Sequence, residues 1–241
     1  MQIKDFFERV YAINLPYRKD RYRQMAQELE KAGMPLSPNK VEIFPAIRPN
    51  DARNFPSVGA LGCFLSHLSV LKQAKKDGLA NVLILEDDLV ISEQFRTEQA
   101  AIVEQLRAVD WGFVYFGHRE EVAQASLVKL DPFSLPIITT HFYAVNGNIL
   151  DRLLWFLEEL QRRPAGHPEG GPMHLDGAYS TFRMQNPDIM TLIASPNLGW
   201  QRSSRSDIYT NAWFDRIPVF KQLASVARVG KELLLNRHSR L

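Results

Sequence analysis

The sequence predicts an α/β fold with a mostly parallel central sheet flanked by helices. Three observations predict it. Short apolar runs rich in β-branched and aromatic residues recur through the first two thirds of the chain, as in "RVYAINLP" at 9–16 and "VLILEDDLVI" at 82–91. Between them lie longer stretches whose apolar residues recur at helical spacing. Glycine and proline punctuate the joins, with Pro16, Gly33 and Gly78 each closing a run. Strands that alternate with helices imply parallel strands joined by helical crossovers.

The first run reads as a buried strand stopped by Pro16, which has no N–H to give to a ladder. "DRYRQMAQELEKAG" then predicts a helix, because Tyr22, Met25, Leu29 and Ala32 share one face and Gly33 is placed to end it. A second strand is expected at 40–47, "KVEIFPAI", followed by the polar loop "RPNDARNFPS". The next helix, "VGALGCFLSHLSVLKQAKKDG", carries Leu61, Phe64, Leu65, Leu68 and Leu71 as an apolar stripe. Its other face holds Gly59, Gly62, Cys63 and Ser66, where an amphipathic surface helix would show charges. Small residues there predict that a strand or a ligand comes close. Gly78 ends this helix and the acidic strand follows at once. "WGFVYFG" (111–117) and "THFYAVNG" (140–147) read as further strands, the second followed by the helix "ILDRLLWFLEELQRR". "RPAGHPEGGPMHLDG" reads as a glycine- and proline-rich loop.

Composition bounds the function. The chain has 241 residues, 45% hydrophobic and 23% charged, as an ordinary globular protein does. A fold of this size buries roughly 70–75% of its unfolded surface and needs no staples. The formal charge of +2 gives no reason to expect nucleic acid as a partner. The single cysteine, Cys63, cannot close an internal disulfide, and no cysteine pair suggests a zinc site. "MQIKDFFERVYAINLP" contains no apolar segment of signal or membrane-span length, and no Asn-x-Ser/Thr acceptor occurs, so a cytoplasmic setting is the expectation.

The chemistry is expected at the acids Glu86, Asp87 and Asp88. In open α/β sheets the ligand crevice lies outside the carboxyl ends of the strands, and these three residues stand there. If the extended conformation persists, Glu86 and Asp88 face one side and Asp87 the other. Two converging carboxylates suit a hard divalent ion, Mg²⁺ or Mn²⁺. The same acids could instead cap and charge a helix beginning in "DDLVISEQF". Arg18, Lys19, Arg21 and Arg23 follow the first strand at the same end of the sheet, where guanidinium groups and helix N–H groups favour phosphate. They could equally pair with Asp20, Glu28 or Glu30 on a solvated helix face. No phosphate loop, dinucleotide fingerprint or nucleophile elbow is present. A metal-dependent site for a diphosphate compound remains.

Taken in order, "VYAINLPYRKDR", "GALGCFLSHLSVLKQA", "VLILEDDLVI", "FVYFG", "HFYAVN" and "SDI" make the chain resemble glycosyltransferase family 25 from about residue 9 to residue 208. That family includes bacterial lipooligosaccharide and lipopolysaccharide galactosyltransferases and relatives that glycosylate collagen. The resemblance implies a GT-A-like nucleotide-diphospho-sugar transferase fold that transfers a sugar with inversion. It puts the acidic triplet where such enzymes hold their metal, with Asp88 as a ligand and Glu86 supporting it or touching the ribose. Asn14, Leu15, Arg18 and Arg21 become candidate nucleotide contacts. His67 matches the family's Ser-His element, either touching the donor or lying beneath the site as a hydrogen-bonded structural residue. Asp176 is the expected general base, or a helix cap, with Asp87 as the second candidate for the base. His174 could complete the metal shell. Gln201, Arg202, Arg205 and Asp207 are expected near the diphosphate or the acceptor.

The expected activity is hexosyl transfer, most simply galactose from UDP-galactose, onto a glycan or glycolipid acceptor such as a lipopolysaccharide core or a lipid-linked saccharide. Mn²⁺ or Mg²⁺ is the expected cofactor. A non-catalytic nucleotide-sugar or glycan-binding domain and a metal-dependent phosphohydrolase are the rival readings. Residues 1–212 form the expected transferase domain. Residues 213–241 form a basic amphipathic segment, read either as a packed helix or as a peripheral contact with the inner face of a membrane.

Overall fold

A computed structural model of the chain describes residues 1–122 and 125–202. The segment 213–241, with its expected basic helix, lies outside the described residues, as do Arg205 and Asp207.

After a short helix α1 (Ile3–Phe6), β1 (Arg9–Asn14) leads to α2 (Lys19–Lys31), β2 (Val41–Pro45), α3 (Val58–Lys76) and β3 (Asn81–Glu86). The expected stops hold: Gly33 and Gly78 follow α2 and α3 with φ of +71° and +66°, the left-handed backbone that glycine adopts without strain. Ser57 starts α3, its side chain accepting from the N–H of Ala60. Then come β4 (Leu89–Ile91), α4 (Glu93–Thr97), α5 (Gln99–Ala108), β5 (Phe113–Gly117), β6 (Lys129–Pro132), β7 (Phe142–Asn146), α6 (Leu150–Arg162), α7 (Leu175–Gln185), β8 (Thr191–Ser195) and β9 (Gly199–Gln201). Helix α5 is an addition to the sequence reading, as are β4, β6, β8 and β9. Residues 163–174 form the expected loop.

The described strands make one sheet in the order β2-β1-β3-β7-β5-β8-β6, with β4 and β9 paired beside it. Each central strand is apolar on both faces. Val10 and Ala12 of β1, Leu83 and Leu85 of β3, Val114 and Phe116 of β5, and Phe142 and Ala144 of β7 enter the core shared with α2 and α5. Their alternate neighbours, Tyr11 and Ile13, Val82 and Ile84, Phe113 and Tyr115, Tyr143 and Val145, enter the core under α3, α6 and α7. Cover on both faces is why these strands read as continuous hydrophobic runs.

The sheet is mixed where a mostly parallel one was expected. β1 is parallel to β2 and β3, and β5 is parallel to β8. β7, however, runs antiparallel to both β3 and β5, and β6 antiparallel to β8. The reason is the connection: no helix lies between β5 and β7 among the described residues, and a parallel neighbour needs such a crossover. The reversal positions the site, because the start of β7 now lies beside the carboxyl ends of β1, β3 and β5, with Leu85 opposite Phe142 and Ile13 opposite Glu86.

Candidate functional site

Extended backbone ends at Glu86, and Asp87 and Asp88 form the turn into β4. The expected alternation of the three acids therefore stops there. Asp87 Oδ1 accepts from Arg21 Nη1 at 2.7 Å, and Asp87 Oδ2 from Asn14 Nδ2 at 2.7 Å. The same Arg21 nitrogen is 3.6 Å from Asp88 Oδ2. Neither aspartate caps a helix; Ser92 does so for α4, its side chain accepting from the N–H of Phe95.

Glu86 faces a different set of groups. Its Oε1 accepts from Thr140 Oγ1 at 3.3 Å and lies 3.5 Å from His67 Nε2, while Oε2 accepts from Gln201 Nε2 at 3.2 Å. His67 is buried, with Nδ1 2.8 Å from the Tyr143 hydroxyl, itself 2.9 Å from the Tyr179 hydroxyl. Buried hydrogen bonds thus link His67, Tyr143 and Tyr179 beneath the site, with His67 Nε2 facing Glu86.

Burial and crowding set the charges. Burial pushes the Asp87 carboxyl up, against the pull of Arg21 and Asn14. Burial and then the neighbouring Glu86 charge push Asp88 up to about 7, with Arg21 opposing them. Burial works against ionised Glu86 too, but the hydrogen bond from His67 and the nearby His67, His141 and Thr140 outweigh it and hold its carboxyl below the usual range. Asp88 Oδ1 is buried and accepts no hydrogen bond from the described residues. A crowded set of carboxylate oxygens with an unsatisfied member fits a hard dication such as Mg²⁺ or Mn²⁺.

The N-terminus of α7 carries the other acid. His174 is the N-cap residue and Asp176 lies in the first turn, so Asp176 is not the cap. Its Oδ1 accepts from the N–H of Gly177 at 2.8 Å and its Oδ2 from that of Thr139 at 3.2 Å. Burial pushes its carboxyl up and pushes the His174 imidazole down. Thr139 has φ of 88°, rare for a β-branched residue, and the Asp176 carboxylate helps to hold it there.

The structure thus joins Asn14 and Arg21 to Asp87, brings the same Arg21 close to Asp88, and joins Glu86 to His67, Thr140 and Gln201. Arg18 Nη2 is engaged with Asp20 at 2.8 Å, and Leu15 contributes its carbonyl to the turn that opens α2. Arg202 donates its N–H to the Asp88 carbonyl at 2.8 Å. The expected metal trio of Asp88, Glu86 and His174 is not gathered. Among the described residues the one group of three histidine, cysteine or acid ligand atoms within 4.8 Å of each other is Cys63, His67 and Glu86. Sequence reasoning missed Thr139, Thr140 and His141. Their one signal is the polar run "TTH" directly ahead of an apolar strand at the site edge.

Residues 7–133, just over half of the chain, match the family described as glycosyltransferase family 25 (LPS biosynthesis protein). The chain belongs to this family. It is 30% identical over 131 residues to procollagen galactosyltransferase 2 of Mus musculus, covering 47% of this chain and 21% of that protein. It is 28% identical over 134 residues to a glycosyltransferase 25 family member of Drosophila melanogaster, covering 46% and 21%. Inactive glycosyltransferase 25 family member 3 of Homo sapiens is 27% identical over 132 residues, covering 47% and 22%. The match thus spans about a fifth of the length of these relatives. The structure resembles that of a glycosyltransferase involved in the glycosylation of the major capsid of PBCV-1, with a TM-score of 0.50 and 12% identity over 82% of this chain and 93% of the other. That likeness shows the fold, α/β and GT-A-like. Among the described residues no helix is long and apolar enough to cross a membrane.

Proposed function

We propose that this family 25 chain is a hexosyltransferase that moves galactose from UDP-galactose, with inversion, onto a glycan or glycolipid acceptor such as a lipopolysaccharide core. The observation that carries the reading is the acidic end of β3, where Asp87 and Asp88 share one guanidinium beside Glu86 and a buried Asp88 oxygen has no hydrogen-bond partner among the described residues. Asp88, with Glu86 beside it, is the pair to hold Mn²⁺ or Mg²⁺, whose charge would neutralise the departing diphosphate, worth several kcal/mol. The name of the mouse relative supports galactose as the sugar, and the family description supports a lipopolysaccharide acceptor. A cytoplasmic setting, with 213–241 as a peripheral contact at the inner membrane face, belongs to the same proposal.

The chain's own groups take defined parts. Asn14 and Arg21 fix Asp87 and shape the nucleotide side of the cleft, with Leu15 and Arg18 next to them. Gln201 holds Glu86 from the opposite side. Asp176 takes the proton of the acceptor hydroxyl. Burial makes its carboxylate a stronger base than a free one, and the N–H groups of Thr139 and Gly177 fix its direction. Such a base contributes about 10²–10⁴-fold in rate. A donor-binding domain without turnover is the second reading, favoured by the human relative named inactive.

The test is to incubate the chain with UDP-galactose and Mn²⁺, with and without a panel of glycans, and to assay released UDP and inorganic phosphate. UDP release that rises with an acceptor supports the transferase. Binding without release supports the non-catalytic domain, phosphate release supports a phosphohydrolase, and no response to any UDP-hexose rejects the proposal.

A further inference from the structure

We propose that Cys63, His67 and Glu86 form a partly buried binding site for Zn²⁺ at the acidic end of β3. Their ligand atoms lie within 4.8 Å of one another. Cys63 and His67 are four residues apart on α3, so both side chains project from one helix face, and β3 delivers Glu86 to that face. His67 Nε2 and Glu86 Oε1 are 3.5 Å apart. Two ligands about 2.0–2.2 Å from a tetrahedral zinc ion stand about 3.4 Å apart, so this edge of the site is already near its bound length.

The ligand set selects the metal. A thiolate and an imidazole with one carboxylate suit borderline-soft Zn²⁺, whereas Mg²⁺ and Mn²⁺ prefer oxygen alone. The two oxygens of Glu86 have different neighbours: Oε1 faces His67 and Thr140, and Oε2 faces Gln201. Thr140 Oγ1 donates to Glu86 Oε1 at 3.3 Å and helps to orient that carboxylate.

A further layer fixes the histidine, as it does around zinc ligands generally. With Nε2 on the ion, Nδ1 keeps the ring proton and donates it to the Tyr143 oxygen at 2.8 Å, and Tyr143 donates to the Tyr179 oxygen at 2.9 Å. The Cys63 thiol gives its proton to solvent as the ion binds. Burial and then the charges of Glu86, Asp176 and Asp88 push that thiol up, a field that a dication at this spot reverses. Bound there, zinc ties α3 to the end of β3 and holds Glu86 in place. The site stands whether or not the chain transfers a sugar.

Titration of the full chain with Co²⁺, followed by displacement with Zn²⁺, tests it. The expected result is a near-ultraviolet thiolate-to-metal charge-transfer band that saturates at one Co²⁺ per chain, whatever binds at Asp88, and that Zn²⁺ erases. Cys63 is the one cysteine in the sequence, so the band reports it alone. Cys63→Ser is expected to abolish the band, and His67→Gln and Glu86→Gln each to weaken Zn²⁺ binding at least about tenfold. Circular dichroism shows which variants are folded. Absence of the band in the wild-type chain overturns the proposal. So does a folded His67→Gln or Glu86→Gln variant with wild-type Zn²⁺ affinity, which would mark simple binding to an isolated thiol.

Discussion

Arg21 Nη1 lies 2.7 Å from Asp87 Oδ1 and 3.6 Å from Asp88 Oδ2, so one guanidinium serves two adjacent carboxylates. It reaches them from α2, across the carboxyl end of β1. The turn after β3 is thereby held with less positive than negative charge, which makes it receptive to a further cation.

Removing that guanidinium leaves Asp87 with Asn14 as its remaining side-chain partner among the described residues. The Arg21 and Asp87 side chains are 13% and 9% exposed, so solvent screens the pair little. Arg21→Ala is expected to cost about 3–5 kcal/mol. Urea unfolding at neutral pH measures it.

Asp88 ties stability to pH. Its folded value of about 7 lies above the unfolded value near 3.9, so the folded state binds the proton more tightly. Its contribution is fully present below about pH 4 and is lost as pH rises towards 7. In EDTA the wild-type chain should weaken across that window, and Mn²⁺ at higher pH should restore it. Asp88→Asn should flatten the profile and be more stable than wild type at pH 7.5, while losing the response to Mn²⁺. Chemical denaturation across pH, with and without the ion, reads both effects.

Asp176→Asn keeps the size of the side chain but puts an amide where a carboxylate accepts from two backbone N–H groups. As the base, it should lower kcat by about 10²–10⁴-fold with KM for the donor changed by less than about twofold. Steady-state kinetics with a saturating acceptor separates the two parameters.

Gly117 sits where β5, β7 and β9 converge, and a Cβ there would lie 2.4 Å from His141 Nε2 and 3.0 Å from the Gly199 carbonyl. Gly117→Ala must therefore displace the His141–Gly199 hydrogen bond. A loss of about 1–3 kcal/mol is expected, seen as a lower Tm.

The acids were legible because three charges at the end of an apolar run have few structural explanations, and the caps of α2 and α3 were legible because glycine marks them. The small face of α3 was also readable: Ile47 donates its N–H to Ser66 Oγ at 2.8 Å, and its carbonyl would lie 2.9 Å from a Cβ on Gly62. Which arginine matters was not legible: Arg18 pairs with Asp20 two residues on, whereas Arg21 reaches Asp87 because β1 and β3 are neighbours in the sheet. Thr140 reaches Glu86 because β7 is antiparallel, a reversal that local apolar pattern does not encode. Cys63, His67 and Glu86 looked unrelated for the same reason, because helix and strand meet at that point in space and not in sequence.

The account rests most heavily on the end of β3 holding a nucleotide sugar through a divalent ion. Titration calorimetry of UDP-galactose into the full chain, in Mn²⁺, in EDTA, and in Mn²⁺ with Asp88→Asn, tests this directly. Saturable binding in Mn²⁺ that falls at least about tenfold in the other two cases is the result predicted. Equal affinity in all three, or no binding of any UDP-hexose by the folded wild-type chain, would contradict it.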